Sequence, residues 1–285
     1  MEETTMNYTY QNRCIRLKKP PHFSLDHIFH CGQTFRFFKE GPGYLGIAYN
    51  RVILVYETSD LFVIDNTTEK DFNQIWAHYF DLERDYAYLS QHFSQDAVMS
   101  EAISYGHGIR ILNQDIWECL ITFILSQQNN IPRITKIVSA LCENFGQPLF
   151  YHGKMYHAFP TPEKLASLSL EDLAIIGSGF RAKYLLEAAK MVKNGEIDLD
   201  AIKHMDTAQA RLELLKIKGV GPKVADCILL FGAGKHDAFP VDVWIDRVIN
   251  TLYNKDQFCP DLFGEYCGIA QQYLFFYGRG LKIGK

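Results

Sequence analysis

No two cysteines in this 285-residue chain are spaced as C-x-x-C. The seven present, Cys14, Cys31, Cys119, Cys142, Cys227, Cys259 and Cys267, are odd in number and scattered. That fits reduced thiols inside a cell and argues against a disulfide framework or a four-cysteine iron–sulfur centre. Also missing is any apolar run of membrane length. Met1-Glu2-Glu3-Thr4-Thr5 lacks the basic-then-apolar onset of a signal peptide. An intracellular place, cytoplasm or nucleoid, is the expectation. There is no Walker loop and no G-x-G-x-x-G after a strand, so no nucleotide cofactor is expected. Positive charge is not in excess: Lys and Arg total 29 against 33 Asp and Glu, a net of −4. A nucleic-acid partner would therefore be held by local backbone amides and a few arginines, not by a basic tail.

The residues present describe a folded protein. Hydrophobics make up 47% and charged residues 22%, which supports a buried core. Two portions read differently. From about Phe35 to Asp65 the pattern is strand-like, as in Tyr44–Tyr49, Arg51–Tyr56 and Leu61–Ile64, and the gap at Asn50 suits a hairpin. Phe72, Ile75, Trp76 and Tyr79 then take up helical spacing. From about Asp96 the chain reads as helix after helix. Thr161-Pro162 is an N-cap with proline following, Ser169 with Asp172 resembles a capping box, and Gly146 and Gly195 are helix stops. The expected fold is mainly α, with an N-terminal α+β domain carrying a small antiparallel sheet over 1–113 and a helical domain over 114–285.

The most informative stretch is Leu214-Leu215-Lys216-Ile217-Lys218-Gly219-Val220-Gly221-Pro222-Lys223-Val224-Ala225-Asp226-Cys227-Ile228. A helical pattern ends near Ile217. Gly219 and Gly221 permit a tight reversal at positive φ, and Pro222 opens a second helix. Such a hairpin lets a phosphate approach free amides at a helix N-terminus, where the dipole is positive. A plain helix-turn-helix with packing glycines is the alternative; Pro222 and Lys223 favour the phosphate-binding reading. A cation in the first helical turn opposes the dipole, which favours a neutral, nucleophilic amine at Lys223. A solvated lysine on phosphate is the plainer option. Downstream, Ala238-Phe239-Pro240-Val241-Asp242-Val243-Trp244 places Asp242 before an apolar-periodic helix. It reads as an N-cap, and a carboxylate there also opposes positive charge developing on a sugar.

Lys218–Cys227 followed by Pro240-Val241-Asp242 resembles the helix-hairpin-helix-Gly/Pro-Asp DNA glycosylases, most of all the 8-oxoguanine glycosylases with lyase activity. Cys31–Arg36, Gly108–Asp115, Ser126–Arg133, Gly179–Tyr184 and Ala270–Phe275 carry the same resemblance. It implies that Lys223 attacks the anomeric carbon, displaces the base, and forms a Schiff base that permits β-elimination, with Asp242 stabilising the sugar cation. It implies duplex DNA containing 8-oxoguanine as partner and extrusion of the base; oligomeric state is left open, with a monomer as the default expectation.

The resemblance also assigns recognition. The Gly32 carbonyl would accept the N7 proton that guanine lacks, Cys227 and Phe275 would sandwich the base, and Gln271 would bond its Watson–Crick edge. On pattern alone Gly32 is a turn glycine, Phe275 a core aromatic and Cys227 a small buried residue. Arg133 and Arg181 match arginines that hold the orphaned cytosine, and Phe180 matches a wedge. Gly219, Val220 and Gly221 would meet a phosphate, and the carbonyls of Leu215, Ile217 and Val220 a structural monovalent cation. Two positions depart. Gln128 stands where eukaryotic members have an asparagine that contacts cytosine, so strict cytosine preference does not follow. Trp244 stands where they have a histidine near phosphate. With no organellar leader, a bacterial-type member is expected. The alternatives are a related glycosylase for another lesion and a non-catalytic DNA-binding module.

His22, His27, His30 and Cys31 lie close in sequence but lack a second ligand pair, so they read as core or surface residues, not a metal site. Glu101, Asp115 and Glu118 read as solvated helix faces or caps.

Overall fold

The computed structural model describes residues 6–253 and 255–284. An antiparallel sheet of six strands forms first. β1 (Tyr8–Gln11), β2 (Cys14–Lys18), β3 (Phe37–Glu40), β4 (Gly43–Ala48), β5 (Arg51–Glu57) and β6 (Leu61–Asp65) lie in the order β1-β2-β6-β5-β4-β3. β4 and β5 pair Ile47 with Val52 and Ala48 with Arg51. The turn between them puts Tyr49 (φ 48°) and Asn50 (φ 60°) both in the left-handed region, the form whose twist matches a tight hairpin.

Alternation along the strands sends Ile15, Leu17, Ile53, Val55, Phe62 and Ile64 to one face, where Phe72, Trp76, Tyr79 and Phe80 cover them. Leu45, Ile47, Val52 and Leu54 face the other way. They meet Leu149, Tyr151 and Tyr156, which belong to a second hairpin, β7 (Pro148–Tyr151) and β8 (Lys154–His157). This hairpin corrects the all-helical reading after Asp96. Its strands of four residues are too short to show a period, and its turn relies on His152 (φ 47°) with Gly153. It forms because the sheet's outer face is apolar and needs a cover.

The helical portion packs around Ile116–Ser126, almost wholly buried and capped by Asp115, and Pro222–Gly232. These approach closely: a Cβ on Gly232 would lie 2.9 Å from the Ile116 Cα. The terminal helix Cys267–Gly280 closes this core. Thr161, Ser169 and Gly146 act at helix ends as the sequence implies, Ser169 and Asp172 as a capping box.

Arg110 locks the seam between sheet and helices. Only 2% exposed, it donates to the carbonyls of Asp81 (2.7 Å), Pro21 (2.8 Å) and His22 (3.2 Å). Gln33 spans the same seam, donating to Arg110 O and accepting from Leu112 N, both at 2.8 Å. A buried guanidinium is stable only with its hydrogen bonds met, and here three carbonyls meet them. Among the described residues no helix is long and apolar enough to cross a membrane.

Candidate active site

The hairpin runs between the helices Thr207–Leu215 and Pro222–Gly232. Val220 N donates to Ile217 O at 2.9 Å across the turn. The two glycines differ. Gly219 has φ +91°, and a Cβ there would lie 2.6 Å from the Tyr184 ring. Its carbonyl accepts from Gln127 Nε2 at 2.8 Å. Gly221 departs from the expected positive φ: it sits at −95°, and nothing lies within 4 Å of where its Cβ would be. It is the N-cap of the Lys223 helix, and no side chain caps that helix. The first-turn amides are thus left without a side-chain cap, the arrangement that takes an anion. The carbonyls of Leu215, Ile217 and Val220 are an oxygen-only set, which suits a hard monovalent cation, although Ile217 O already accepts the Val220 amide.

Lys223, in the first turn, extends along the wall of a cavity of about 570 Å³. Its Nζ donates to Ser126 Oγ at 3.5 Å and stands 5.5 Å from the Phe123 ring centroid. Asp242 lines the same cavity. It caps the helix Val243–Leu252 through a single oxygen: Oδ1 accepts from Trp244 N (3.0 Å) and Ile245 N (2.9 Å). Those two amides fix the carboxylate against rotation.

Gly32, Cys227, Gln271 and Phe275 line the same cavity, with Cys227 one helical turn beyond Lys223. Gly32 has φ +84°, and a Cβ there would come within 3.2 Å of both Phe275 Cε1 and Ile131 Cδ1. At that φ a side chain is strained, and its Cβ would press on both neighbours. Burial pushes the Cys227 thiol up to about 11, against the opposing pull of Lys223, so it is a neutral, apolar wall element. Gln271 donates Nε2 to Pro240 O at 2.9 Å, while its buried Oε1 has no partner among the described residues. A buried acceptor without a partner is costly, and Gln271 is among the residues that line the cavity.

The residues expected to face the opposite strand lie beside the loop joining Ile116–Ser126 to Ile131–Phe145. Gln128 is exposed and left-handed (φ 47°). Arg181, 3% exposed, donates Nε to Gln127 O at 2.8 Å and Nη2 to the carbonyls of Gln127 and Gln128. Its guanidinium lies 4.4 Å from the Phe180 ring centroid. Burial, and then nearby Arg133, push its pKa down. Arg181 therefore braces the Gln127–Gln128 backbone, while Phe180 and Arg133 are exposed.

Among the cavity residues to which the sequence assigned no role are Phe123, Ser126, Gln272 and Arg279. Gln272 and Arg279 share helical spacing with Phe275, a signal available in the sequence. Glu118 corrects an expectation. It is largely withdrawn from solvent, its side chain 14% exposed, with its carboxylate 3.6 Å from Arg36. Burial raises it to about 7 despite that arginine. Glu101 accepts from Tyr277 Oη at 2.5 Å. His27 and His30 place Nδ1 against the backbone carbonyls of His107 and Asp26.

Residues 16–120 match the family described as 8-oxoguanine DNA glycosylase, N-terminal domain, and residues 121–261 match the HhH-GPD superfamily base excision DNA repair protein. The chain is 32% identical over 245 residues to a probable N-glycosylase/DNA lyase of Methanothermobacter thermautotrophicus, covering 76% of this chain and 77% of that one. It is 33% identical over 276 residues to the N-glycosylase/DNA lyase OGG1 of Arabidopsis thaliana (87% and 75%). Among solved structures, the Clostridium acetobutylicum 8-oxoguanine glycosylase/lyase, in complex with duplex DNA carrying cytosine opposite 8-oxoguanine, superimposes with a TM-score of 0.92. It is 38% identical over 99% of this chain and 100% of that one.

Proposed function

The chain belongs to the N-glycosylase/DNA lyase family, built from an 8-oxoguanine glycosylase N-terminal domain and an HhH-GPD domain, and from that premise we propose how its residues act on DNA. The enzyme is a DNA N-glycosylase with lyase activity on abasic sites that removes 8-oxoguanine from duplex DNA in base-excision repair. The target base leaves the stack and enters the 570 Å³ cavity. Lys223 Nζ attacks C1′ as the C1′–N9 bond breaks. The bonding pair departs with the base, the amine gives up a proton, and ring opening leaves a Schiff base. Loss of a C2′ proton then expels the 3′ oxygen and cuts the strand. The Asp242 carboxylate, held by its two amides, opposes the positive charge that develops on the sugar.

The Gly32 carbonyl accepts the N7 proton of the lesion. Cys227 and Phe275 enclose the base, and Gln271 offers Oε1 to its edge. Phe180 fills the vacated stack. Arg133 meets the orphaned base, and Arg181 serves it through the Gln127–Gln128 loop. The hairpin Gly219-Val220-Gly221 seats a phosphate, through the amides of Gly219 and Gly221 and not that of Val220, which is engaged by Ile217 O. Residues 1–113 act as the lesion-reading unit and 114–285 as the catalytic unit, in a monomer working on nucleoid DNA.

One observation carries this reading. An amine and a fixed carboxylate, at the starts of consecutive helices, line the same cavity as Gly32, Gln271 and Phe275. Borohydride trapping tests it. Wild type should form a covalent adduct with 8-oxoguanine duplex, and Lys223→Gln should form none. Base release without an adduct would make the enzyme monofunctional, binding without release a non-catalytic module, and release of a different base alone a glycosylase for another lesion.

A further inference from the structure

The recognition turn sits in the N-terminal portion, yet much of what holds it comes from the far end of the chain. Gln272 Nε2 donates to Cys31 O at 2.6 Å, and Arg279 Nη2 donates to His30 O. On the other flank, Gln114 Nε2 donates to Gln33 O at 2.8 Å. The carbonyls of 30, 31 and 33 are therefore each engaged, leaving that of Gly32 as the one the proposed chemistry uses. Gln272, Phe275 and Arg279 fall at i, i+3 and i+7 on one face of the terminal helix.

Arg279 touches both halves of the recognition apparatus. Its guanidinium carbon lies 5.3 Å from the Phe275 ring centroid, and its Nη1 would be 3.4 Å from a Cβ on Gly32. Burial pushes its pKa down, so the charge is held partly out of water. A carbonyl and two aromatic rings, Phe275 and Phe276, take the place of that water.

We propose that Arg279 is a positioning residue for lesion recognition: it fixes the Gly32 turn and backs the Phe275 ring, so that carbonyl and ring present one rigid frame to the base. This rests on the recognition role given above to Gly32 and Phe275. It does not touch the sugar chemistry, which separates it from Lys223 and Asp242. A planar guanidinium can donate to the carbonyl while lying against a ring; a lysine ammonium donates but cannot stack in the same way.

The test compares wild type, Arg279→Leu and Arg279→Lys on two duplexes, one with 8-oxoguanine and one with a preformed abasic site. Arg279→Leu should lower kcat/KM for base excision about tenfold, mostly through KM, and leave abasic-strand cleavage within about twofold. Arg279→Lys should fall between wild type and Arg279→Leu. Equal losses on both duplexes, or no loss on either, would overturn the proposal. If Arg279→Leu folds poorly, Arg279→Lys decides: wild-type excision in that variant argues against the stacking role. Failure of the underlying reading looks different, since wild type itself would then leave 8-oxoguanine in place.

Discussion

Two consecutive helices present their N-termini to the cavity, and they begin in opposite ways. Pro222–Gly232 starts at Gly221, with no side-chain cap. Val243–Leu252 starts at Asp242, whose Oδ1 takes two amides. The uncapped start forgoes a stabilisation of only about a few tenths of a kcal/mol, since glycine is itself a tolerable N-cap, and keeps its amides and positive dipole end for an anion from outside. The capped start uses its own anion, then presents that same carboxylate to the cavity. One helix end is built to receive a phosphate. The other is built to hold a charge still beside a reacting sugar.

The largest expected effect breaks the second half of this contrast. Asp242→Asn keeps a good N-cap, since asparagine caps as well as aspartate, but removes the charge. Base excision should fall on the order of 100-fold with little change in Tm. Asp242→Ala should lose the same activity and, in addition, about 1 kcal/mol of stability. Single-turnover excision and thermal melts on both variants separate the two jobs. An Asp242→Asn enzyme as fast as wild type would leave the residue as a cap only.

Next in size is Gly219→Ala. The residue sits at φ +91°, and the new methyl would enter the Tyr184 ring at 2.6 Å from Cγ. The root of the ring cannot swing away, so backbone strain and overpacking add to about 3 kcal/mol. Denaturant melts should show the loss. A melt within about 0.5 kcal/mol of wild type would mean that the turn relaxes freely, which is incompatible with the close fit described.

These variants also show what was legible in the sequence. Lys223 and Asp242 could be read locally, because a proline after a glycine turn and an aspartate before an apolar helix are signals within a few residues. Gly32 and Phe275 could not. Their encounter is tertiary, and on pattern alone they are a turn glycine and a core aromatic; only the family resemblance joined them. The β4–β5 hairpin was legible from Asn50, whereas β1, β2, β7 and β8 were not. Their turns run through Asn12-Arg13 and His152-Gly153, and their four- or five-residue strands carry too little alternation. Glu118 misled because a charged residue on a helix is usually solvated; its burial depends on Arg36, far off in the sequence.

The smallest effect tests the uncapped helix directly. Gly221→Asp would give the Lys223 helix the same cap as its neighbour. The site permits it: φ is −95°, and the space around the Cβ is empty. Stability should rise by only a few tenths of a kcal/mol, because glycine is itself a tolerable N-cap. DNA binding should move the other way. The carboxylate would occupy the amides proposed for phosphate and repel it, weakening affinity by roughly tenfold at moderate salt. Gly221→Ala supplies the control, with a methyl but neither cap nor charge, and should lie near wild type in affinity. If Gly221→Asp binds DNA as tightly as wild type while melting slightly higher, the bare helix start has no phosphate to receive, and the contrast between the two helices is one of capping alone.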